Sequence, residues 1–190
     1  MMMPFRIEDP VGTIPEEYAV WRKPIEGLCA FAPRLPGVAY LTIDEAEVEA
    51  GETHRRPGLH VDGIGPDGRA GGWGGGWGAK GMIIASSHLG CRAYSQEFRG
   101  WPKPNGDCAH LAEQCDPGCE VPMVGGHAYW LEPLTVHEPL LLESTTRRQF
   151  VRISMPSDAP WYEGYTINSL GIKPTGPIHP ARSEFMAHRT

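Results

Sequence analysis

Short apolar runs punctuated by glycine and proline dominate this chain, and they predict strands joined by irregular loops rather than long helices. Residues Val38 to Ile43 are β-branched and aromatic-rich and read as a strand. The strand continues to Glu49, where Glu45, Glu47 and Glu49 alternate with Ala46 and Val48 to give one acidic and one apolar face, and Gly51 ends it. Gly81 to Ser87 reads as a second strand, with Cys91 to Tyr94 as its expected partner. Three strand-like pieces follow: Val121 to Leu131, interrupted by a Gly125-Gly126 turn; Thr135 to Leu142; and Gln149 to Met155. One short helix is expected from Pro15 to Arg22, with Glu16 and Glu17 suited to its positively polarised first turn. Residues 99–120 read as irregular. Trp161, Tyr162 and Tyr165 are expected to cover one end of the β structure, ahead of a partly ordered tail over residues 174–190.

Composition strengthens the β reading. With 24 glycines and 19 prolines in 190 residues, the chain has roughly twice the ordinary share of these two residues, which suits a turn-rich fold with elaborated loops. The length fits a single domain over residues 1–190, its core spanning about 38–155 and a covering segment and tail following from 156. A net charge of −6 argues against a nonspecific nucleic-acid binder, although Arg55, Arg56, Arg147, Arg148 and Arg152 could form a local basic patch. No apolar run approaches the roughly 20 residues needed to span a bilayer, so no membrane association is expected. The opening Met1-Met2-Met3-Pro4-Phe5-Arg6 lacks the apolar stretch of a signal peptide, and a cytoplasmic location is the expectation. Five cysteines without such a peptide argue against a secreted disulfide framework.

The residues with chemical potential are His60-Val61-Asp62, His137, Arg148 and Arg152. Extended geometry puts His60 and Asp62 on one face and Val61 on the other, which a helix would not do at this spacing. With the distant His137 they supply two imidazoles and one carboxylate, a set able to hold one face of an Fe(II) ion and leave the other positions open. An arginine behind such a metal offers a fixed cation for an acidic co-substrate. The alternation Arg148, Phe150, Arg152, Ser154 favours Arg148 over its neighbour Arg147 as the inward residue.

The order strand, His-x-Asp, irregular loop, strand-Gly-Gly-strand, His and then Arg resembles the Fe(II)/2-oxoglutarate-dependent oxygenases, over roughly Val38 to Ser154. Gly125 to Pro133 resembles the Gly-Asp-aromatic stretch that precedes the distal His in many members, with Gly126 or His127 here in place of the Asp. The resemblance implies a double-stranded β-helix, that is, a jelly roll or cupin-like barrel. It implies Fe(II) held by His60, Asp62 and His137, with 2-oxoglutarate and O2 as co-substrates. Arg148 would bind the distal carboxylate of 2-oxoglutarate as a bidentate pair, with Arg152 assisting at the nearer carboxylate. The implied reaction yields succinate and CO2 and oxidises an unactivated C–H bond, most often by hydroxylation. Two other readings stand beside it. One is a cupin-like metal enzyme that uses the same triad without 2-oxoglutarate, and the other is a non-enzymatic β-sandwich binding module.

Other motifs add less. Gly71 to Gly78, with Trp73 and Trp77, lacks the Lys-Ser/Thr of a phosphate loop, and its tryptophans read either as part of a lid that stacks on a planar substrate, the favoured reading, or as an insertion resting on the barrel. Arg56, beside the metal motif, would favour an anionic group on a small-molecule or amino-acid-like substrate. Cys108, His110, Cys115 and Cys119 form a possible Cys3His zinc set, at spacings that match no common finger. His54, His88 and His127 read as solvated or hydrogen-bonded rather than as ligands.

Overall fold

The computed structural model describes residues 1–33, 35–62, 80–88, 90–103, 106–158 and 161–179. The protein is mainly β, with two antiparallel sheets and a few short helices. The larger sheet has the order β1-β2-β8-β3-β6, built from β1 (Met2–Arg6), β2 (Val38–Val48), β8 (Thr146–Ser154), β3 (Met82–Ser86) and β6 (Ala128–Leu131). The smaller has the order β5-β4-β7, from β5 (Glu120–Pro122), β4 (Cys91–Tyr94) and β7 (His137–Pro139). A two-stranded parallel pair joins β9 (Trp161–Tyr162) to β10 (Ile178–His179).

Register sorts the large sheet into two faces, because residues directly opposite in an antiparallel pair share a face. Met3, Phe5, Ala39, Leu41, Ile43, Ile83, Val151 and Ile153 form the outer core. Ile14 and Ile25 pack onto it from the segment that holds α1 (Pro10–Thr13) and α2 (Arg22–Cys29). The inner face carries Tyr40, Thr42 and Asp44 beside Ser154, Arg152 and Phe150, with Arg148 opposite Ala46. Met82, Ile84, Phe150 and Leu131 from this face pack with Cys91, Ala93 and Met123 from the smaller-sheet region. The space between the sheets therefore holds apolar residues together with buried arginines, which is unusual enough to need a chemical reason.

Several expectations change here. The strand from Val38 forms with its acidic outer edge, Glu45, Glu47 and Glu49 being exposed. Cys91 to Tyr94 is a strand, but it does not pair with Met82–Ser86; both edges of β3 are taken by β6 and β8, so β4 crosses to the smaller sheet. The pieces either side of Gly125-Gly126 likewise fall in different sheets. The helix expected over 15–22 is a 3-10 segment, Glu16–Trp21, and the true α-helix follows it. Pro24 hid α2 from sequence reading, yet it lies in the first turn, where its missing N–H has no partner to lose. Strand β1 was also hidden, since Pro4 suits only an edge strand, which β1 is. The irregular stretch contains two 3-10 turns, Ala109–Gln114 and Pro117–Cys119. Trp161 stacks on Tyr40 at 4.1 Å between ring centroids, so it closes one end of the inner face as expected. The Gly-Trp loop, with Trp73 and Trp77, and the tail beyond 179 lie outside the described residues. Among the described residues no helix is long and apolar enough to cross a membrane.

Candidate metal centre

His60 and His137 are brought side by side by their own backbones. The His60 N–H donates to the His137 carbonyl and the His137 N–H to the His60 carbonyl, each at 2.9 Å. This reciprocal antiparallel pair places both imidazoles on the same side, with ring centroids 4.5 Å apart. On the other side of residue 60, the Val61 N–H donates to the Gly106 carbonyl and the Cys108 N–H to the Leu59 carbonyl, both at 2.9 Å. Gly106 is required at that approach. Its φ is +72°, and a Cβ there would fall 2.0 Å from the Val61 carbonyl oxygen.

The alternation expected of the motif is present. Leu59 and Val61 enter an apolar cluster with Tyr94, Cys108, Leu111 and Val136, while His60 and Asp62 turn the opposite way. The ligand-capable atoms of His60, Asp62 and His137 all lie within 4.8 Å of one another, so the group could hold a metal ion. Its donor chemistry fits one. His60 Nδ1 is 2.6 Å from the Gly58 carbonyl and His137 Nδ1 is 2.9 Å from the Thr135 carbonyl. A carbonyl can only accept, so both Nδ1 atoms carry the proton and both Nε2 lone pairs are left for a cation.

Electrostatics keep the donors in ligand form. Burial, reinforced by the charge of His137, pushes the His60 imidazole down to about 4, against weaker support from Asp62 and Gly58. Burial alone would raise the Asp62 carboxyl, but Arg152 and then His137, His60 and Arg55 hold it below the usual carboxylate range. A carboxylate and a neutral imidazole therefore stand ready at neutral pH. The sign of the resulting pH dependence is fixed. An unfolded histidine titrates near 6.5, so the unfolded chain binds more protons than the folded one between about pH 6.5 and 4. Stability from His60 is fully present above 6.5 and lost on acidification towards 4, on the order of 3 kcal/mol in total. Urea unfolding of metal-free protein across that range should show this slope, and His60→Ala should flatten it. Equal slopes in both proteins would contradict the assignment.

Three arginines surround the triad's chamber. Arg152 Nη1 sits 2.8 Å from the Asp62 carboxylate, so its guanidinium is placed on the proposed ligand itself. Arg55 pairs with Asp44 at 2.6 Å and lies over the Phe150 ring at 4.9 Å. Arg148 is 1% exposed and has no carboxylate partner among the described residues. It donates from Nε to Ser86 Oγ at 2.7 Å and from Nη2 to Cys91 Sγ at 3.7 Å, while Nη1 is buried without a hydrogen-bond partner among the described residues. Gly90 makes room for it, since a Cβ there would lie 2.5 Å from the guanidinium carbon. Arg147, the rival, is exposed. Cys91 remains a thiol, raised by burial against the opposing charges of Arg148 and Arg55.

The remaining candidates disperse. Arg56 is exposed, and its charge acts on His60 and Cys108. Cys108 is buried with its thiol directed to the Gly106 carbonyl, His110 meets the Trp101 carbonyl, and Cys119 meets Asp116, so these residues do not converge with Cys115 on a zinc site. His88 and His127 are exposed and hydrogen-bonded, as expected. His54 departs from expectation: its side chain is buried, Nε2 lies 3.5 Å from Asp44 Oδ1, and neither ring nitrogen has a hydrogen bond among the described residues. Sequence reading missed it, together with Ser86, Cys91 and Asp44, because only Asp44 had a local signal, as a polar residue on the inward alternation of β2. A separate groove of about 750 Å³, lined by Trp21, Leu28, Phe31, Trp130 and Val151 among others, opens on the outer face and shares no residue with the triad. Comparison of the sequence with protein-family models and with curated proteins finds no match to either.

Proposed function

We propose that the protein is an Fe(II)- and 2-oxoglutarate-dependent dioxygenase built on a double-stranded β-helix. The observation that carries this reading is Arg148: a buried guanidinium without a carboxylate partner among the described residues, on the same inner face as the residue that grips Asp62. A buried, uncompensated cation is costly, and an anionic ligand would relieve it. The spacing supports a short diacid. Arg148 touches Cys91, and Cys91 is two residues along β4 from Ala93, the direct strand partner of His137. Two residues of strand span about 7 Å, comparable to the length of a five-carbon diacid whose other end reaches the metal.

His60, Asp62 and His137 would hold the iron, which when bound would supply the chemistry by which O2 oxidises both 2-oxoglutarate, to succinate and CO2, and a substrate C–H bond, one oxygen atom going to each. The chain's own part is orientation and charge. Gly58 and Thr135 carbonyls fix the imidazole tautomers, Arg152 fixes the carboxylate, and Arg148 anchors the distal carboxylate so that the keto acid meets the metal in one pose. Charge balance agrees with this. Asp44 and Asp62 against Arg55, Arg148 and Arg152 leave one positive charge in the chamber, and a divalent metal with a dianionic keto acid keeps that total unchanged while giving Arg148 a counter-ion. The substrate is a small molecule or amino-acid-like compound, with the exposed Arg56 available for an anionic group. Succinate release in the presence of Fe(II), 2-oxoglutarate and a panel of such compounds tests the reading. Wild type should release succinate and Arg148→Ala should not. A metal-dependent turnover indifferent to Arg148→Ala would favour a cupin-like enzyme without the keto acid.

A further inference from the structure

His54 begins the segment that leads to the metal motif, yet its side chain is only 4% exposed. Neither ring nitrogen has a hydrogen-bond partner among the described residues, and its nearest carboxylate, on Asp44, is 3.5 Å from Nε2. Leaving a buried imidazole in that state carries a cost that a bound ligand would remove. The ring stands edge-on to Phe150, at 6.4 Å between centroids and 80° between planes. The Arg148 guanidinium lies 5.8 Å from the centre of that same ring, and its Nη1 also lacks a hydrogen bond among the described residues. Two unsatisfied buried polar groups thus flank one aromatic ring. Arg55, over the same ring, is already held by Asp44.

We propose that His54 and Arg148 together form the blind end of a carboxylate pocket walled by Phe150, in which Arg148 supplies the ion pair and a His54 N–H donates a further hydrogen bond to the same carboxylate. Burial first, and then the charges of Arg148 and Arg55, hold the imidazole below its ordinary range against the pull of Asp44. It is therefore a neutral donor that adds selectivity without adding a fourth cation to Arg55, Arg148 and Arg152. Only the naming of the ligand as 2-oxoglutarate rests on the dioxygenase reading; the pocket itself rests on the unsatisfied groups.

The test is calorimetric titration of zinc-loaded protein with 2-oxoglutarate and with 2-oxopentanoate, which has the same chelating head and a methyl in place of the far carboxylate. Wild type should prefer 2-oxoglutarate by about 100-fold. His54→Ala should reduce that preference about tenfold by weakening only the diacid, and His54→Asn, which restores an N–H, should recover part of it. An unchanged preference in His54→Ala, or equal weakening of both acids in variants that melt like wild type, would overturn the proposal. Glutarate, which has the two carboxylates but no keto group, separates the two readings. If wild type binds glutarate and His54→Ala binds it about tenfold less well, while neither keto acid gains from the metal, the pocket stands and the dioxygenase reading falls. If wild type binds none of the three acids, the pocket is overturned.

Discussion

Replacing His60 or His137 with alanine should abolish stoichiometric metal binding, lowering affinity for Fe(II) or its Co(II) surrogate by at least about 100-fold. Each imidazole is buried, its tautomer is fixed by a carbonyl, and its Nε2 lone pair has no other assigned role. Removing one leaves two donors, too few to hold a divalent ion against water in an open site. Arg152→Leu should behave differently, weakening the metal by about 10- to 100-fold without abolishing it, because Arg152 positions Asp62 and does not itself ligate. Metal analysis after dialysis, alongside thermal melts to confirm folding, reads both effects. Full metal retention in either histidine variant would remove the basis for any enzymatic reading and favour a binding module.

Arg148→Met should separate function from stability in opposite directions. Binding of 2-oxoglutarate should fall by about 100-fold or more, the loss expected when a buried bidentate guanidinium–carboxylate pair is deleted. The ligand-free fold should be unharmed or should melt a few degrees higher, because a flexible apolar side chain that matches the arginine stem replaces a buried cation that has no counter-ion among the described residues. The hydrogen bonds to Ser86 and Cys91 are lost in exchange, and the Cys91 bond, at 3.7 Å, is weak. Arg148→Lys should retain part of the affinity, since it keeps the charge but not the planar fork. Calorimetry for the ligand and denaturant melts for the fold check both halves. Marked destabilisation of the methionine variant would mean that Arg148 is a structural residue.

Local periodicity explains why so much of the site could be read from the sequence. His60 and Asp62 share a face because an extended chain alternates, and the same rule turned Arg148 inward and Arg147 outward on β8. His137 was recognisable as a histidine in a strand-like piece, and Thr135 and Gly58 lie just two residues before the imidazoles they orient. What stayed hidden depends on contacts distant in sequence. The Arg152–Asp62 pair joins residues 90 apart, and the partition of Cys91–Tyr94 into the smaller sheet follows from β3 already having two neighbours. His54 had no signal at all. Its burial comes from packing against Phe150 on a strand almost a hundred residues away.

The most direct measurement is anaerobic titration of the purified chain with Fe(II) and then 2-oxoglutarate, followed by visible absorption. A bidentate keto acid on a three-residue iron site should give a weak charge-transfer band that saturates at one equivalent of each. The band should be absent from His60→Ala and should need far more 2-oxoglutarate in Arg148→Met. No band at any ratio in metal-loaded wild-type protein would contradict the assignment of this chamber as a 2-oxoglutarate site.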